Sequence, residues 1–279
     1  MKTIEVINFG SNLLRKHKIP SHILDSELLL SKTLNKSREK ILTNLDQKIS
    51  KKDLFIFQEY LIRRSKNEPI AYILKEKEFW SKKFFVSKDT LIPRPETELL
   101  VDSLTKIYKD KKISILDIGT GTGCIILSLL MDLKYSTGIG VDVSKKAIFI
   151  AKKNAEMHEL SRRVKFLNKS FQHVSEKKFD LIVSNPPYIM RKDLRNLSDD
   201  IRRYEPRMAL DGGNDGLDLI KKVIYKSVKI LKIRGLLALE IGNEQNLKVS
   251  KILVDNNFRI KHVIKDYKNN VRCILANYI

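Results

Sequence analysis

Asn185-Pro186-Pro187-Tyr188 puts an amide, two prolines and a phenol ring into four consecutive residues. Two prolines forbid helix and carry no N–H, so this stretch offers carbonyl acceptors without backbone donors at both positions. With the Asn185 amide and the Tyr188 ring beside them, the chain can build an acceptor-rich pocket with a flat wall. Such a pocket suits a planar NH₂ group on an sp² carbon. The competing reading is an ordinary strand-end turn, because Asn-Pro is a common turn dipeptide.

A second stretch, Asp117-Ile118-Gly119-Thr120-Gly121-Thr122-Gly123-Cys124, has the pattern strand, glycine-rich turn, helix. Glycines let backbone approach a ligand closely, and a helix N-terminus presents free N–H groups. Cys124 stands where a dinucleotide fingerprint needs its third glycine, and no Gly-Lys-Ser/Thr occurs, so phosphate cradling is disfavoured. About twenty residues on, Gly138-Ile139-Gly140-Val141 leads into Asp142, a carboxylate able to accept both hydroxyls of a ribose. The alternative for Asp142 is a helix cap ahead of Ser144-Lys145-Lys146. A ribose clamp beside a phosphate-free glycine turn points to a nucleoside without pyrophosphate.

These groups need a scaffold that brings them together. From about residue 113 the pattern alternates strand and helix, with strands expected over 113–118, 137–142, 163–168, 179–184, 235–241, 258–264 and 271–278. That alternation predicts a parallel, doubly wound sheet. The connection Asp266-Tyr267-Lys268-Asn269-Asn270 is too short for a crossover helix, so the last two strands should pair antiparallel. Residues 1–65 read as short amphipathic helices: one with Ile4, Ile7, Leu13 and Leu14, a second with Leu24, Leu28, Leu29 and Leu34, and a later one starting at Ser50. Residues 70–86 read as a hairpin, with Ile70-Ala71-Tyr72-Ile73-Leu74 and Phe84-Phe85-Val86 as its arms. Residues 189–213 lack clear periodicity and carry Arg191, Lys192, Arg195, Arg202 and Arg203; following the Asn-Pro-Pro-Tyr turn, they read as the substrate-side wall or lid.

In this order, Asp117-x-Gly-x-Gly-x-Gly, Asp142 and Asn185-Pro-Pro-Tyr resemble the class I S-adenosylmethionine-dependent methyltransferases that act on an amino or amide nitrogen. Three further stretches narrow the likeness: Leu91-Ile92-Pro93-Arg94-Pro95-Glu96-Thr97-Glu98, Glu205-Pro206 through Ala209-Leu210-Asp211-Gly212-Gly213 to Leu217, and Glu68-Pro69-Ile70-Ala71-Tyr72-Ile73. All three are similar to the bacterial peptide chain release factor glutamine N5-methyltransferases, the PrmC or HemK family. The resemblance covers nearly the whole chain and is weakest over residues 1–65.

The resemblance implies an α/β fold: a Rossmann-like, seven-stranded, mainly parallel sheet with an antiparallel last strand, plus a small N-terminal helical domain joined by a β-hairpin. It implies domains at 1–68 (helical, substrate-docking), 69–90 (hairpin linker) and 91–279 (methyltransferase). S-adenosyl-L-methionine is the implied cofactor, held by Gly119, Thr120, Gly121, Thr122, Gly123, Asp142 and Asn185, with Ser170 and Phe171 near the adenine. Relatives often carry an acidic residue where this chain has Lys169, so Asn168 or backbone groups are the expected substitutes there. The implied substrate is the glutamine in the Gly-Gly-Gln motif of class I release factors, bound by Asn185, Pro186, Pro187 and Tyr188. The competitors are a ribosomal-protein glutamine or a nucleic-acid amino group.

An amide nitrogen is almost non-basic, and the motif holds no histidine or carboxylate to deprotonate it. Catalysis is expected from alignment: the Asn185 oxygen and the Pro186 carbonyl accept the two amide hydrogens, and Tyr188 sandwiches the amide plane. The proton leaves after transfer, when the nitrogen has become acidic. Arg94 and Glu96 are expected over the site, or as an ion pair on a connector. Cys124 is expected to be a small packed residue.

Composition bounds the remainder. The chain has 279 residues, 54 basic against 33 acidic, for a net charge of +21. Residues 1–90 hold 19 of the basic and 11 of the acidic side chains, so the excess is spread over the chain rather than gathered in a tail. Basicity favours acidic or nucleic-acid partners, but no dense Lys/Arg run with interleaved aromatics occurs, and nucleic-acid binding is not required. No apolar run approaches the ~18 residues of a membrane span. An acidic residue, Glu5, interrupts what would be a signal peptide. Two distant cysteines, Cys124 and Cys273, and five scattered histidines give neither disulfide framework nor metal site. The expectation is a cytoplasmic, metal-free, monomeric enzyme without a membrane partner.

Overall fold

The computed structural model describes residues 1–175 and 178–279, which form two compact units. The first holds Met1–Glu76 together with Ser198–Tyr204; the second holds Lys77–Leu197 and Glu205–Ile279.

The smaller unit is helical: α1 (Thr3–Lys16), α2 (His22–Leu34), α3 (Arg38–Leu42), α4 (Lys51–Ser65) and α5 (Ile70–Leu74). Val6, Ile7 and Leu14 of α1 meet Leu29 and Leu30 of α2 and Phe57 and Leu61 of α4 in one apolar cluster. Gly10 makes the close approach possible, since a Cβ there would lie 2.4 Å from Ser26 Oγ and 2.7 Å from the Phe57 ring. The helix expected at Ser50 begins there, with the Ser50 hydroxyl accepting from the Asp53 N–H. Arg64 reaches across to Asp25 at 2.6 Å, a pair largely removed from water.

One expectation is corrected. Ile70–Leu74, read as a hairpin arm, is helix α5. Pro69 is its N-cap, with ψ 132° outside the helical region, and its carbonyl accepts from the Tyr72 and Ile73 N–H groups; Lys75 ends the turn in the left-handed region. A five-residue apolar run is too short for periodicity to separate strand from buried helix. The hairpin lies just beyond it, as β1 (Glu76–Phe79) and β2 (Lys82–Phe85). Phe79 and Phe84 are buried in the core of the larger unit.

That unit continues with α6 (Glu98–Tyr108), β3 (Ser114–Ile118), α7 (Cys124–Asp132), β4 (Thr137–Asp142), α8 (Lys145–Met157), β5 (Val164–Asn168) and β6 (Phe179–Ser184). A short helix, α9 (Asp199–Tyr204), belongs with the helical unit, where the Tyr204 hydroxyl donates to the Lys66 carbonyl. Then come α10 (Asp218–Ile230), β7 (Leu231–Glu240), α11 (Asn246–Asp255), β8 (Phe258–Lys265) and β9 (Val271–Tyr278). Segment 189–213 is therefore not irregular throughout: it also contains short 3₁₀ turns at Arg191–Asn196 and Arg207–Ala209.

The seven strands lie in the order β5-β4-β3-β6-β7-β9-β8, with β9 antiparallel to both neighbours and all other pairs parallel. Both faces are covered, as a parallel sheet requires. Successive strand residues alternate between two cores: Ile115, Leu181, Val183, Leu236, Ala238 and Leu275 face α6–α8, while Leu116, Ile182, Leu237, Leu239 and Ile274 face α10 and α11. The chain runs outward from β3 to β5 and then returns to β6 on the other side of β3. Ligand crevices of open α/β sheets form at such a reversal, beyond the carboxyl ends of the strands.

Candidate active site

Strand register fixes what gathers at that edge. Ile118 is level with Val141 of β4 and Ser184 of β6, and Ser184 is level with Leu239 of β7. The next residue on each strand is therefore Gly119, Asp142, Asn185 or Glu240, and four chemically distinct groups emerge at one height. The buried Ser184 hydroxyl donates to the Ile118 carbonyl at 2.7 Å, tying two of these strand ends together.

A cavity of about 420 Å³ opens there, within the usual range for small-molecule sites. The glycine turn lines it through Gly119, Thr120, Gly121 and Thr122, the β4 end through Asp142 and Ser144, and the β6 end through Asn185, Pro186 and Pro187. Lys169 and Phe171 line it too, with Pro93, Arg94 and Thr97 on one side and Pro206, Met208 and Ala209 on another.

Gly119 and Gly121 sit at φ +72° and +54°, and a Cβ built on Gly119 meets nothing within 4 Å. These glycines thus supply a left-handed turn and keep a cradle open for a ligand. Gly123 differs. It does not line the cavity, and a Cβ there would press on Leu127, Phe166 and Ala151, so it serves helix–sheet packing.

Asp142 holds this turn in place. One carboxylate oxygen accepts from the Gly121 N–H at 3.0 Å, the other from the Ser144 N–H at 2.9 Å. The cap of α8 is Ser144, whose hydroxyl accepts from the Ala147 N–H. Burial raises the Asp142 pKa, and the hydrogen bonds from Ser144 and Gly121 oppose that rise. A carboxylate has about four acceptor positions, so two remain for a ligand.

Asp117, just before the turn, is buried. Its Oδ2 accepts from the Thr120 hydroxyl at 2.7 Å, while Oδ1 has no partner among the described residues. Burial pushes this carboxyl up to about 7. Asn154 of α8 bridges the turn to the hairpin: its amide donates to the Thr122 and Phe85 carbonyls and accepts from the Phe85 N–H.

The remaining expected residues divide. Phe171 reaches the cavity, but Ser170 instead caps a 3₁₀ turn by accepting from the Gln172 N–H. The Asn168 amide is committed to the Asp142 and Val143 carbonyls, and Lys169 lines the cavity beside it. Tyr188 does not line the cavity. It packs against the α10/α11 core, its carbonyl accepts from Gln245, and burial raises its pKa. Cys124 is buried at the cavity wall and protonated, its thiol pushed up to about 12 by burial.

Arg94 pairs with Glu205 at 2.6 Å rather than with Glu96, and Glu205 also accepts from the Ile92 N–H. With the Glu205 side chain only 1% exposed, this pair fixes the 91–97 wall against the 205–209 wall. Glu240, absent from the sequence expectations, lies behind Asn185 and accepts from the Thr97 hydroxyl at 2.6 Å. A carboxylate ending an apolar strand at the ligand edge is the signal that marked Asp142, and it holds equally for Glu240.

Comparison with known proteins assigns this architecture. Residues 5–74 match the PrmC N-terminal domain, and residues 89–201 match the methyltransferase small domain. The release factor glutamine methyltransferase of Fusobacterium nucleatum is 36% identical, across 99% of this chain and 78% of the relative. The bifunctional methyltransferase of Rickettsia conorii is 35% identical across 99% of this chain, which spans only 57% of that longer protein. Among solved structures, the hMettl16 catalytic domain aligns with a TM-score of 0.59 at 16% identity, over 79% of this chain and 82% of that one. That last likeness is one of fold alone.

Proposed function

We infer the reaction from lineage and geometry together: the chain belongs to the family of release factor glutamine methyltransferases. We propose that it transfers a methyl group from S-adenosyl-L-methionine to the side-chain amide nitrogen of the Gly-Gly-Gln glutamine in class I release factors. The observation that carries this reading is the convergence of the Asn185-Pro186-Pro187 acceptors, the Asp142 carboxylate and the open glycine cradle on one cavity.

The residues present fit the cofactor. Gly119 and Gly121 leave the space, Asp142 retains two acceptor positions for ribose hydroxyls, and Phe171 supplies an apolar wall for a base. S-adenosyl-L-methionine supplies an activated methyl on a sulfonium centre. Asn185 and the Pro186 carbonyl accept the two hydrogens of the substrate amide and hold its nitrogen in line, and Pro187 and Tyr188 back this segment. The enzyme contributes orientation rather than a base. The helical unit, which we assign to docking, engages the body of the release factor. The protein works in the cytoplasm as a monomer. No helix among the described residues is long and apolar enough to cross a membrane.

The direct test is transfer of labelled methyl to purified release factor, with ribosomal protein and RNA as controls. Label is expected on the Gly-Gly-Gln glutamine; label on either control in its place would overturn the substrate assignment.

A second expectation concerns Asp142. Asp142→Ala should weaken cofactor binding by about 1.5–3 kcal/mol, the range for hydrogen bonds to a charged group. The upper end is expected, because the substitution also releases the Gly121 N–H that shapes the cradle. Calorimetry reads this directly, and an unchanged affinity would leave Asp142 only its backbone-tying role.

A further inference from the structure

We propose that Glu240, acting through Thr97, fixes which way the Asn185 amide faces, and thereby sets the acceptor that meets the substrate nitrogen. The inference deepens the proposed function and rests on the reading of Asn185 as the acceptor for the substrate amide.

Glu240 ends β7 at 2% exposure, and Thr97 beside it is equally enclosed. Thr97 has one hydroxyl hydrogen, donated to Glu240 Oε2 at 2.6 Å. Its oxygen can then only accept, and it accepts from Asn185 Nδ2 at 3.3 Å. With its hydrogen committed to Glu240, Thr97 offers only an acceptor, so the NH₂ end of Asn185 must face it. The carbonyl end is left for the cavity that Asn185 lines. The opposite orientation would set the Asn185 oxygen against the Thr97 oxygen and turn a donor toward the substrate amide, which needs an acceptor.

This orientation depends on the charge of Glu240. The groups facing it are Thr97, Asn185, Arg272 and Glu96, with the Tyr188 hydroxyl and the Cys124 and Cys273 thiols nearby. Burial raises the pKas of the phenol and both thiols, which stay neutral. For Glu240, burial pushes the carboxyl up to about 7, opposed by Thr97, Arg272 and Asn185. Once protonated, Glu240 can donate to Thr97, which then donates to Asn185 Oδ1. The chain of hydrogen bonds reverses, and the substrate meets the wrong end of the amide. kcat should therefore fall as pH falls through the Glu240 midpoint.

Two arms test this in the full-length protein. In the free enzyme, the Asn185 side-chain amide signals should shift with the same midpoint as the Glu240 carboxyl carbon by NMR, and the shift should vanish in Glu240→Gln. This arm needs no substrate and decides the relay even where release factor proves not to be methylated. In turnover, the acid limb of kcat should disappear in Glu240→Gln. Glu240→Met leaves the Thr97 hydroxyl with the Asn185 carbonyl as its acceptor, so kcat should drop on the order of 10- to 100-fold with cofactor affinity held. Adding Thr97→Val to Glu240→Met removes the misplaced donor and should recover several-fold of that loss, which a purely structural role does not predict. Asn185 signals indifferent to Glu240, an acid limb that persists in Glu240→Gln, or a double variant no better than Glu240→Met would each overturn the proposal.

Discussion

Asn185→Ala should abolish methyl transfer while leaving S-adenosylmethionine binding nearly intact. Asn185 follows β6 at the height where Gly119 and Asp142 leave their strands, but the proposed cradle for the cofactor is built from those other two strand ends. Removing the Asn185 amide deletes one of the two acceptors that we propose align the substrate nitrogen. Losing a single preorganised hydrogen-bonding group at a reacting centre costs on the order of 100- to 1,000-fold in kcat. The loss should be at the high end, because no other group in the motif activates a non-basic amide. The alanine also leaves Thr97 its bond to Glu240, so the wall behind the site keeps its main hydrogen bond. Single-turnover transfer of labelled methyl, set beside calorimetric cofactor affinity, separates the two effects. Activity within a few-fold of the unsubstituted enzyme would sink the alignment mechanism.

The central sheet was readable because its strands are buried on both faces. Runs such as Leu181-Ile182-Val183 and Leu236-Leu237-Ala238-Leu239 must be apolar at every position when alternate residues feed two different cores. The glycine turn and Asp142 were readable for a related reason: close backbone approach and a strand-end carboxylate leave local marks. Glu240 carries the same strand-end mark, but nothing local joins it to Thr97, which lies 143 positions away and outside the sheet. Segment 189–213 hid its helices because α9 buries no residue, and a helix without a buried face has no periodicity to read. Tyr188 shows the converse limit. Its place in the motif suggested a pocket wall, but an aromatic ring next to an open core gains more by burial against α10 and α11.

Removing the helical unit should damage turnover of the whole release factor far more than turnover of a short peptide carrying the Gly-Gly-Gln loop. A loop with no side chains before its glutamine gives the cavity little to hold, so affinity must come from surfaces elsewhere. The helical unit exposes Phe9, Ile23, Leu24, Phe55 and Ile62, an apolar supply available to a partner among basic side chains. Docking of standard size, roughly 1,600 Å² in total, would account for selectivity toward the folded factor. The structure also dictates where to cut. Phe79 and Phe84 belong to the core of the larger unit, and Phe85 is hydrogen-bonded to Asn154, so truncation at residue 85 would unravel what it means to spare. The cut belongs after Glu76, where the N-terminal segment of the first unit ends. α9 stays behind in such a chain, but none of its residues is fully buried. With circular dichroism confirming that the shortened chain is folded, kcat/KM is measured for both substrates on both enzymes. A fall of about 100-fold or more on the whole factor, worth roughly 2.7 kcal/mol of lost docking, with little change on the peptide, is the expected result. Equal losses on the two substrates would mean that the helical unit only supports the fold, and the docking role would be withdrawn.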